Sequence, residues 1–206
     1  MSKKIGVLGG SFNPVHVGHL ILAHDAMEAF GLDQVLLIPC AIPPHKNPLG
    51  LTSAQHRLAM LQRAVEEDSR LSVSTLELDR VGISYSVETL NDLVRLNPGT
   101  RYFFIIGADT LTELHTWRSI HEFLALCEVV TMRRPGYPWD LKPSDLKLEA
   151  PWPEKLLAHV FTGHAIGLSS SEIRRRVAEG LSIRYLVSRS VERYIDENKL
   201  YRQRAV

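Results

Sequence analysis

The stretch Gly9-Gly10-Ser11-Phe12-Asn13-Pro14-Val15-His16-Val17-Gly18-His19-Leu20 decides how the rest of the chain is read. A short apolar run, Ile5 to Leu8, precedes it and reads as a strand buried on both faces. An apolar-periodic run, Leu20 to Phe30, follows it and reads as a helix, with Gly31 suited to the left-handed position beyond its end. The stretch is thus a strand–loop–helix junction opening an α/β pattern. Glycines at such a junction let backbone N–H groups approach a ligand, and a helix N-terminus favours an anion. His16 and His19 fall on one face of the first helical turn. Physical chemistry alone makes this a phosphate site.

Outward from the junction, strand and helix signals alternate. Val35–Ile38 reads as a second buried strand, stopped by Pro39. Residues 40–51 form a loop in which Pro43-Pro44 stiffens the backbone that presents His45 and Lys46. Thr52 with Gln55 is a capping-box signature opening a helix to about Glu67, with Leu58, Leu61, Ala64 and Val65 on one face. Leu71–Leu78 reads as a third strand. Ser86 is a candidate N-cap for a helix that buries Val87, Leu90, Leu93 and Val94 and ends before Pro98. Tyr102–Ile106 is the strongest strand signal, all β-formers. A helix near Ser119–Leu126 and a strand at Val129–Met132 follow. From Arg133 to about Lys155 five prolines break any period, and a long irregular loop is expected. His159–Thr162 is a possible last strand. Residues 167–174 enter a helix, and a shorter one follows from about Ser190 to Asn198.

The alternation predicts a Rossmann-like, doubly wound parallel sheet with helices on both faces. Ligands of such sheets bind beyond the strand C-termini, where strand order reverses. The stretches 9–19, 107–109 and 168–174 all fall at strand ends or helix starts. We expect one domain over 1–206, with a C-terminal helical part from about 168.

Composition narrows the function classes. A net charge of +1 on 206 residues argues against non-specific nucleic-acid binding, which needs a strongly basic face. The two cysteines, Cys40 and Cys127, make neither a metal spacing nor a disulfide framework, so a reducing, cytoplasmic compartment is expected. Cys127 lies in an apolar run and reads as core. The apolar run before Gly9 is too short for a signal-peptide core, and no run reaches membrane-spanning length, so no membrane partner is expected.

The opening loop is not a dinucleotide fingerprint. Gly-x-Gly-x-x-Gly does not occur there, and Pro39-Cys40 stand where an acidic residue would be needed. A His-x-x-His pair lacks the further ligands a metal needs, His24 being a weak third. No metal is therefore expected on protein side chains.

Gly-Gly-Ser-Phe-x-Pro-x-His-x-Gly-His closely resembles the signature of the nucleotidyltransferase superfamily. Leu168-Ser169-Ser170-Ser171-x-Ile173-Arg174 resembles its distal Ile-Ser-Ser-Thr-x-Ile-Arg motif. Further likenesses point to the bacterial nicotinate mononucleotide adenylyltransferases. They are Pro43-Pro44-His45-Lys46, Ile105-Ile106-Gly107-Ala108-Asp109, Thr116-Trp117 and Arg133-Arg134-Pro135-Gly136-Tyr137. The resemblance runs from Ile5 to about Tyr201. It implies adenylyl transfer from ATP to nicotinate mononucleotide, giving deamido-NAD and pyrophosphate, with Mg²⁺ carried on the ATP phosphates.

By the same resemblance His16, His19 and Arg174 are the catalytic groups. Gly9, Gly10, Ser11, Phe12, Gly18, Gly107, Asp109 and Ser169 to Ser171 join them at ATP, with Asp109 on a ribose. Lys46, Tyr85, Ser86, Ala108, Trp117 and Arg134 fall to the mononucleotide, with Trp117 on the nicotinate ring, Tyr85 and Ser86 near its carboxylate, and Lys46 and Arg134 as charges for its phosphate. The family's usual Asp is Asn13 here and its usual Thr is Ser171, which keeps the hydroxyl. Rival readings are a transferase using phosphopantetheine or nicotinamide mononucleotide, a non-catalytic nucleotide sensor, and an RNA-binding module.

Overall fold

The computed structural model describes residues 2–43, 50–80, 82–133 and 139–202. Its strands are β1 (Lys4–Gly10), β2 (Gln34–Pro39), β3 (Leu71–Val73), β4 (Arg101–Gly107), β5 (Glu128–Arg133) and β6 (Val160–Thr162). The helices are α1 (Val17–Phe30), α2 (Ala54–Val65), α3 (Ser86–Leu96), α4 (Ala108–Leu111), α5 (Ile120–Leu126), α6 (Trp152–Ala158), α7 (Ser170–Ala178) and α8 (Arg189–Glu197). All six strands pair in parallel in the order β3-β2-β1-β4-β5-β6. The expected doubly wound sheet is thus present, and strand order reverses between β1 and β4.

The sheet is buried on both faces because its strands carry apolar residues on both. In β4, Phe103 and Ile105 face a cluster with Ala23, Met27, Met60 and Leu61, to which α7 and α8 add Ile173, Val191 and Ile195. Tyr102, Phe104 and Ile106 face the opposite cluster, with Val87, Leu90, Phe123 and Leu124. Gly31, at φ +60°, ends α1 in the left-handed conformation.

Five local expectations need correction. The N-cap of α2 is Ser53, whose Oγ accepts from His56 N–H at 3.4 Å, because Thr52 is engaged elsewhere. The buried face of α2 is Arg57, Met60, Leu61 and Val65, with Leu58 only partly covered. The third strand stops at Val73, since Ser74 to Arg80 turn around the Thr75–Asp79 hydrogen bond of 2.7 Å. Within 133–155 the chain forms a 3₁₀ turn at Pro143–Asp145 and begins α6 at Trp152. Pro153 sits in the first turn of α6, where a missing N–H is harmless. The N-cap of α3 is Tyr85, and Ser86 is its first residue.

Candidate active site

β1 delivers Gly9 and Gly10 to the C-terminal edge of the sheet, and the chain turns through Phe12 and Pro14 to α1. Phe12 holds φ +44°, a left-handed conformation costing a non-glycine residue about 1–2 kcal/mol. Its ring is 1% exposed and meets His19 edge-on at 5.0 Å, so burial offsets that strain. α1 starts earlier than its apolar periodicity suggests because a histidine, His16, is the extended N-cap residue. His19 Nδ1 accepts the His16 N–H at 3.2 Å, and the His19 N–H donates to the His16 carbonyl at 2.9 Å. The two imidazoles lie nearly face to face, centroids 3.7 Å apart and planes tilted 30°. With Nδ1 accepting, the neutral His19 ring carries its proton on Nε2.

Gly18 makes this packing possible. A Cβ there would stand 3.0 Å from His16 Nδ1 and 3.1 Å from Ile166 Cγ2. Burial pushes the His16 imidazole down to about 4, so at neutral pH it is uncharged. Its Nδ1 is buried with no hydrogen-bond partner among the described residues. His16 thus offers a dipole on a desolvated ring.

The distal motif closes over this loop. Ser169, extended, caps α7 by accepting the Glu172 N–H at 3.2 Å. Ser170 Oγ donates to the Pro14 carbonyl at 2.8 Å. Arg174 donates to the Asn13 carbonyl at 2.7 Å and to Ser171 Oγ at 3.2 Å. Three neighbouring serines thus do three jobs: capping, docking and orienting an arginine. Segments more than 150 positions apart form one cradle.

The cradle lines a cavity of about 670 Å³. Gly9, Gly10, Ser11, His16, Gly18, His19, Asp109, Ser169, Ser170, Ser171 and Arg174 all border it. Gly107 and Phe12 are not among its lining residues. A Cβ on Gly107 would meet Asp109 Oδ1 at 2.6 Å, so glycine there lets the carboxylate lie across the end of β4. Tyr85, Ser86, Ala108 and Trp117 are not among its lining residues. Trp117 packs edge-on against Phe104 at 5.8 Å and Phe123 at 5.2 Å. The Arg118 guanidinium sits 4.5 Å over the Tyr85 ring. Lys46 and Arg134 lie outside the described residues.

Sequence reasoning missed several members of the site. Asp25 accepts from both the His164 N–H and the His164 Nδ1–H at 2.7 Å, and both residues line the cavity with Ile166 and Met132. Nothing in their spacing, 139 positions, marks them as neighbours. Arg57, 1% exposed, was also missed. Its i, i+3, i+4 relation to Met60 and Leu61 is the one sign that it points inward.

The site suits phosphate. Its serine hydroxyls, imidazoles and the Arg174 guanidinium are phosphate ligands, while Asp25 and Asp109 add two carboxylates. Among the described residues, no group of three or more His, Cys, Asp or Glu side chains is placed to hold a metal ion. No helix is long and apolar enough to cross a membrane among the described residues.

Comparison with known proteins agrees with this geometry. A cytidylyltransferase-like family model matches residues 7–176. A Thermus thermophilus protein named "Probable nicotinate-nucleotide adenylyltransferase" is 44% identical over 199 residues, spanning 97% of this chain and 100% of that one. A Desulfitobacterium hafniense protein of the same name is 43% identical over 201 residues, spanning 97% and 96%. Among solved structures, a Plasmodium falciparum nicotinic acid mononucleotide adenylyltransferase complexed with NaAD superposes with a TM-score of 0.75. It covers 97% of both chains at 19% identity, which speaks to the fold. With both halves of the cradle assembled at the β1/β4 reversal and these relatives matching nearly end to end, the chain belongs to the cytidylyltransferase-like family, among the nicotinate-nucleotide adenylyltransferases.

Proposed function

We propose that this chain transfers the adenylyl group of ATP to nicotinate mononucleotide, giving deamido-NAD and pyrophosphate in NAD biosynthesis. The observation that carries the reading is the closed cradle. The Arg174–Asn13 and Ser170–Pro14 hydrogen bonds bring the distal motif onto the His16–His19 loop, and residues of both border one cavity.

The mononucleotide phosphate is already anionic at neutral pH, so no general base is required. One of its oxygens attacks the α-phosphorus of ATP in line. The new P–O bond forms as the α–β bridging bond breaks, and pyrophosphate carries away the electron pair. No covalent enzyme intermediate arises. The protein's contribution is placement and charge stabilisation.

Gly9, Gly10, Ser11 and Gly18 let backbone approach the triphosphate. His19 Nε2–H, the α7 N-terminus with Ser169 to Ser171, and Arg174 supply donors where charge develops. An anion against His16 would raise its pKa from the value set by burial, so nucleotide binding and proton uptake are linked at that ring. Asp109 takes a ribose hydroxyl. Lys46, Arg134, Tyr85, Ser86, Ala108 and Trp117 are proposed for the mononucleotide. Mg²⁺, carried by the ATP phosphates, would neutralise part of their charge. We treat 1–206 as one catalytic domain, because α7 and α8 pack on the same sheet as the first loop.

A pyrophosphate-release assay with ATP and a panel of acceptors tests this. Release with nicotinate mononucleotide well above that with nicotinamide mononucleotide or phosphopantetheine is the expected result. Equal rates with the two mononucleotides would remove the preference for the carboxylate. ATP binding with no release for any acceptor would leave a nucleotide sensor.

A further inference from the structure

Beneath the cradle lies a buried cation that the chemistry above does not use. Arg57 is 1% exposed, and among the described residues its hydrogen bonds go to no carboxylate. Its guanidinium instead donates to four carbonyls of two different segments. Nη1 reaches Ser11 O at 2.9 Å and Cys40 O at 2.7 Å, Nε reaches Thr52 O at 2.9 Å, and Nη2 reaches Ala41 O at 3.4 Å. Ser11 belongs to the loop that faces ATP. Cys40, Ala41 and Thr52 flank the stretch that carries Lys46.

A second set of bonds joins the same two segments. Asn13 Nδ2 donates to the Gly50 carbonyl at 3.0 Å, and Asn13 Oδ1 accepts from the Thr52 N–H at 3.3 Å. Tyr201, from the C-terminal end, donates its hydroxyl to the same Oδ1 at 3.0 Å. Burial pushes the Tyr201 phenol up to about 12, so it keeps the proton it donates. Asn13 needs no negative charge for this. Its acceptor oxygen would be conserved by an aspartate, its donated bond to Gly50 would not.

We propose that Arg57 is a positioning residue for adenylyl transfer, and that Asn13 and Tyr201 assist it. Its planar fork ties the loop that faces the nucleotide to Cys40, Ala41 and Thr52, which flank the stretch proposed to meet the second substrate. This rests on the reading that nicotinate mononucleotide is the acceptor. Arg57 fits the task because one rigid plane satisfies four carbonyls at once, whereas a lysine ammonium has three donors on a flexible stem. The triphosphate donors on α1 and α7 make no bond to Arg57, which reaches the nucleotide side only through the Ser11 carbonyl. A loosened fork therefore misplaces the attacking phosphate while leaving ATP held.

The test is steady-state kinetics of the full chain, with melting curves, for Arg57→Lys, Tyr201→Phe and Asn13→Ala. Misalignment of about 1 Å is worth roughly 100-fold, so Arg57→Lys should lose between roughly 10- and 100-fold in kcat with KM for ATP within about twofold. Tyr201→Phe and Asn13→Ala should lower kcat less, in the same pattern, and Asn13→Asp should recover part of the Asn13→Ala loss. Adding guanidinium to Arg57→Ala should restore some rate, since the four carbonyls remain. Wild-type kcat in folded Arg57→Lys, or equal loss of kcat and ATP affinity in it, overturns the proposal. If the Arg57 variants do not fold, unchanged kcat in both Tyr201→Phe and Asn13→Ala overturns it. Failure of the function reading looks different: the wild-type protein itself would make no pyrophosphate with nicotinate mononucleotide.

Discussion

At His16 and His19 one backbone arrangement sets two different protonation behaviours. His19 is held in one tautomer by the His16 N–H, while His16 is desolvated and neutral. Replacing His19 by Ala removes a donor whose transition-state value is roughly 3–4 kcal/mol, so kcat should fall by two or more decades with an unchanged circular dichroism spectrum. His16 makes a separate prediction about stability. Its folded pKa of about 4 lies below the ordinary value of 6.5, so between those values the unfolded chain binds more protons than the native one. Stability from this residue is full above pH 6.5 and is lost as pH falls through the folded pKa. The loss amounts to at most about 3 kcal/mol, and His16→Gln should show a correspondingly flatter dependence of urea midpoint on pH. Gly107 gives a third case. Because a Cβ there meets only the flexible end of Asp109, Gly107→Ala should leave the melting temperature nearly unchanged while raising KM for ATP, as the carboxylate is displaced.

Among elements, α7 shows how a short helix aims a charge. Ser169 caps it, Ile173 anchors it in the core at 0% exposure, and Arg174, the next residue, is thereby turned toward the first loop. Ser169→Ala should destabilise the protein by about 1 kcal/mol in urea unfolding, the usual value of such a cap. On the other face, α5 places Phe123, fully buried, against both Phe104 and Trp117. Phe123→Ala should cost about 3–5 kcal/mol and alter the Trp fluorescence of the folded protein, since Trp117 loses a ring it packs against. The boundaries that sequence patterns missed have physical causes. α1 starts at a histidine cap that propensity does not recognise. The N-cap of α2 moves to Ser53 because Asn13 takes the Thr52 N–H and Arg57 takes the Thr52 carbonyl. α6 begins with Pro153 in its first turn, where a proline is accommodated rather than disruptive.

For the molecule as a whole, the sheet order β3-β2-β1-β4-β5-β6 puts the ends of β1 and β4 side by side. Residues 9–11 and Asp109 share a cavity for that reason. This much was legible in the chain: buried strands alternating with amphipathic helices admit few arrangements, and a glycine-rich strand–helix junction is a local feature with a local consequence. The spelling of 9–19 and of 168–174 likewise picked out residues that the structure brings to one cavity. The Arg57 clamp, the Asp25–His164 pair and the neutral state of His16 were not legible. Each depends on what lies across the fold: carbonyls from two segments, a carboxylate 139 positions away, and the burial of one ring. Local pattern encodes backbone conformation and which side of an element is apolar. It holds no information about desolvation or about hydrogen bonds closed between distant segments, and those came only with the packing of α2, α7 and the C-terminal end around the first loop.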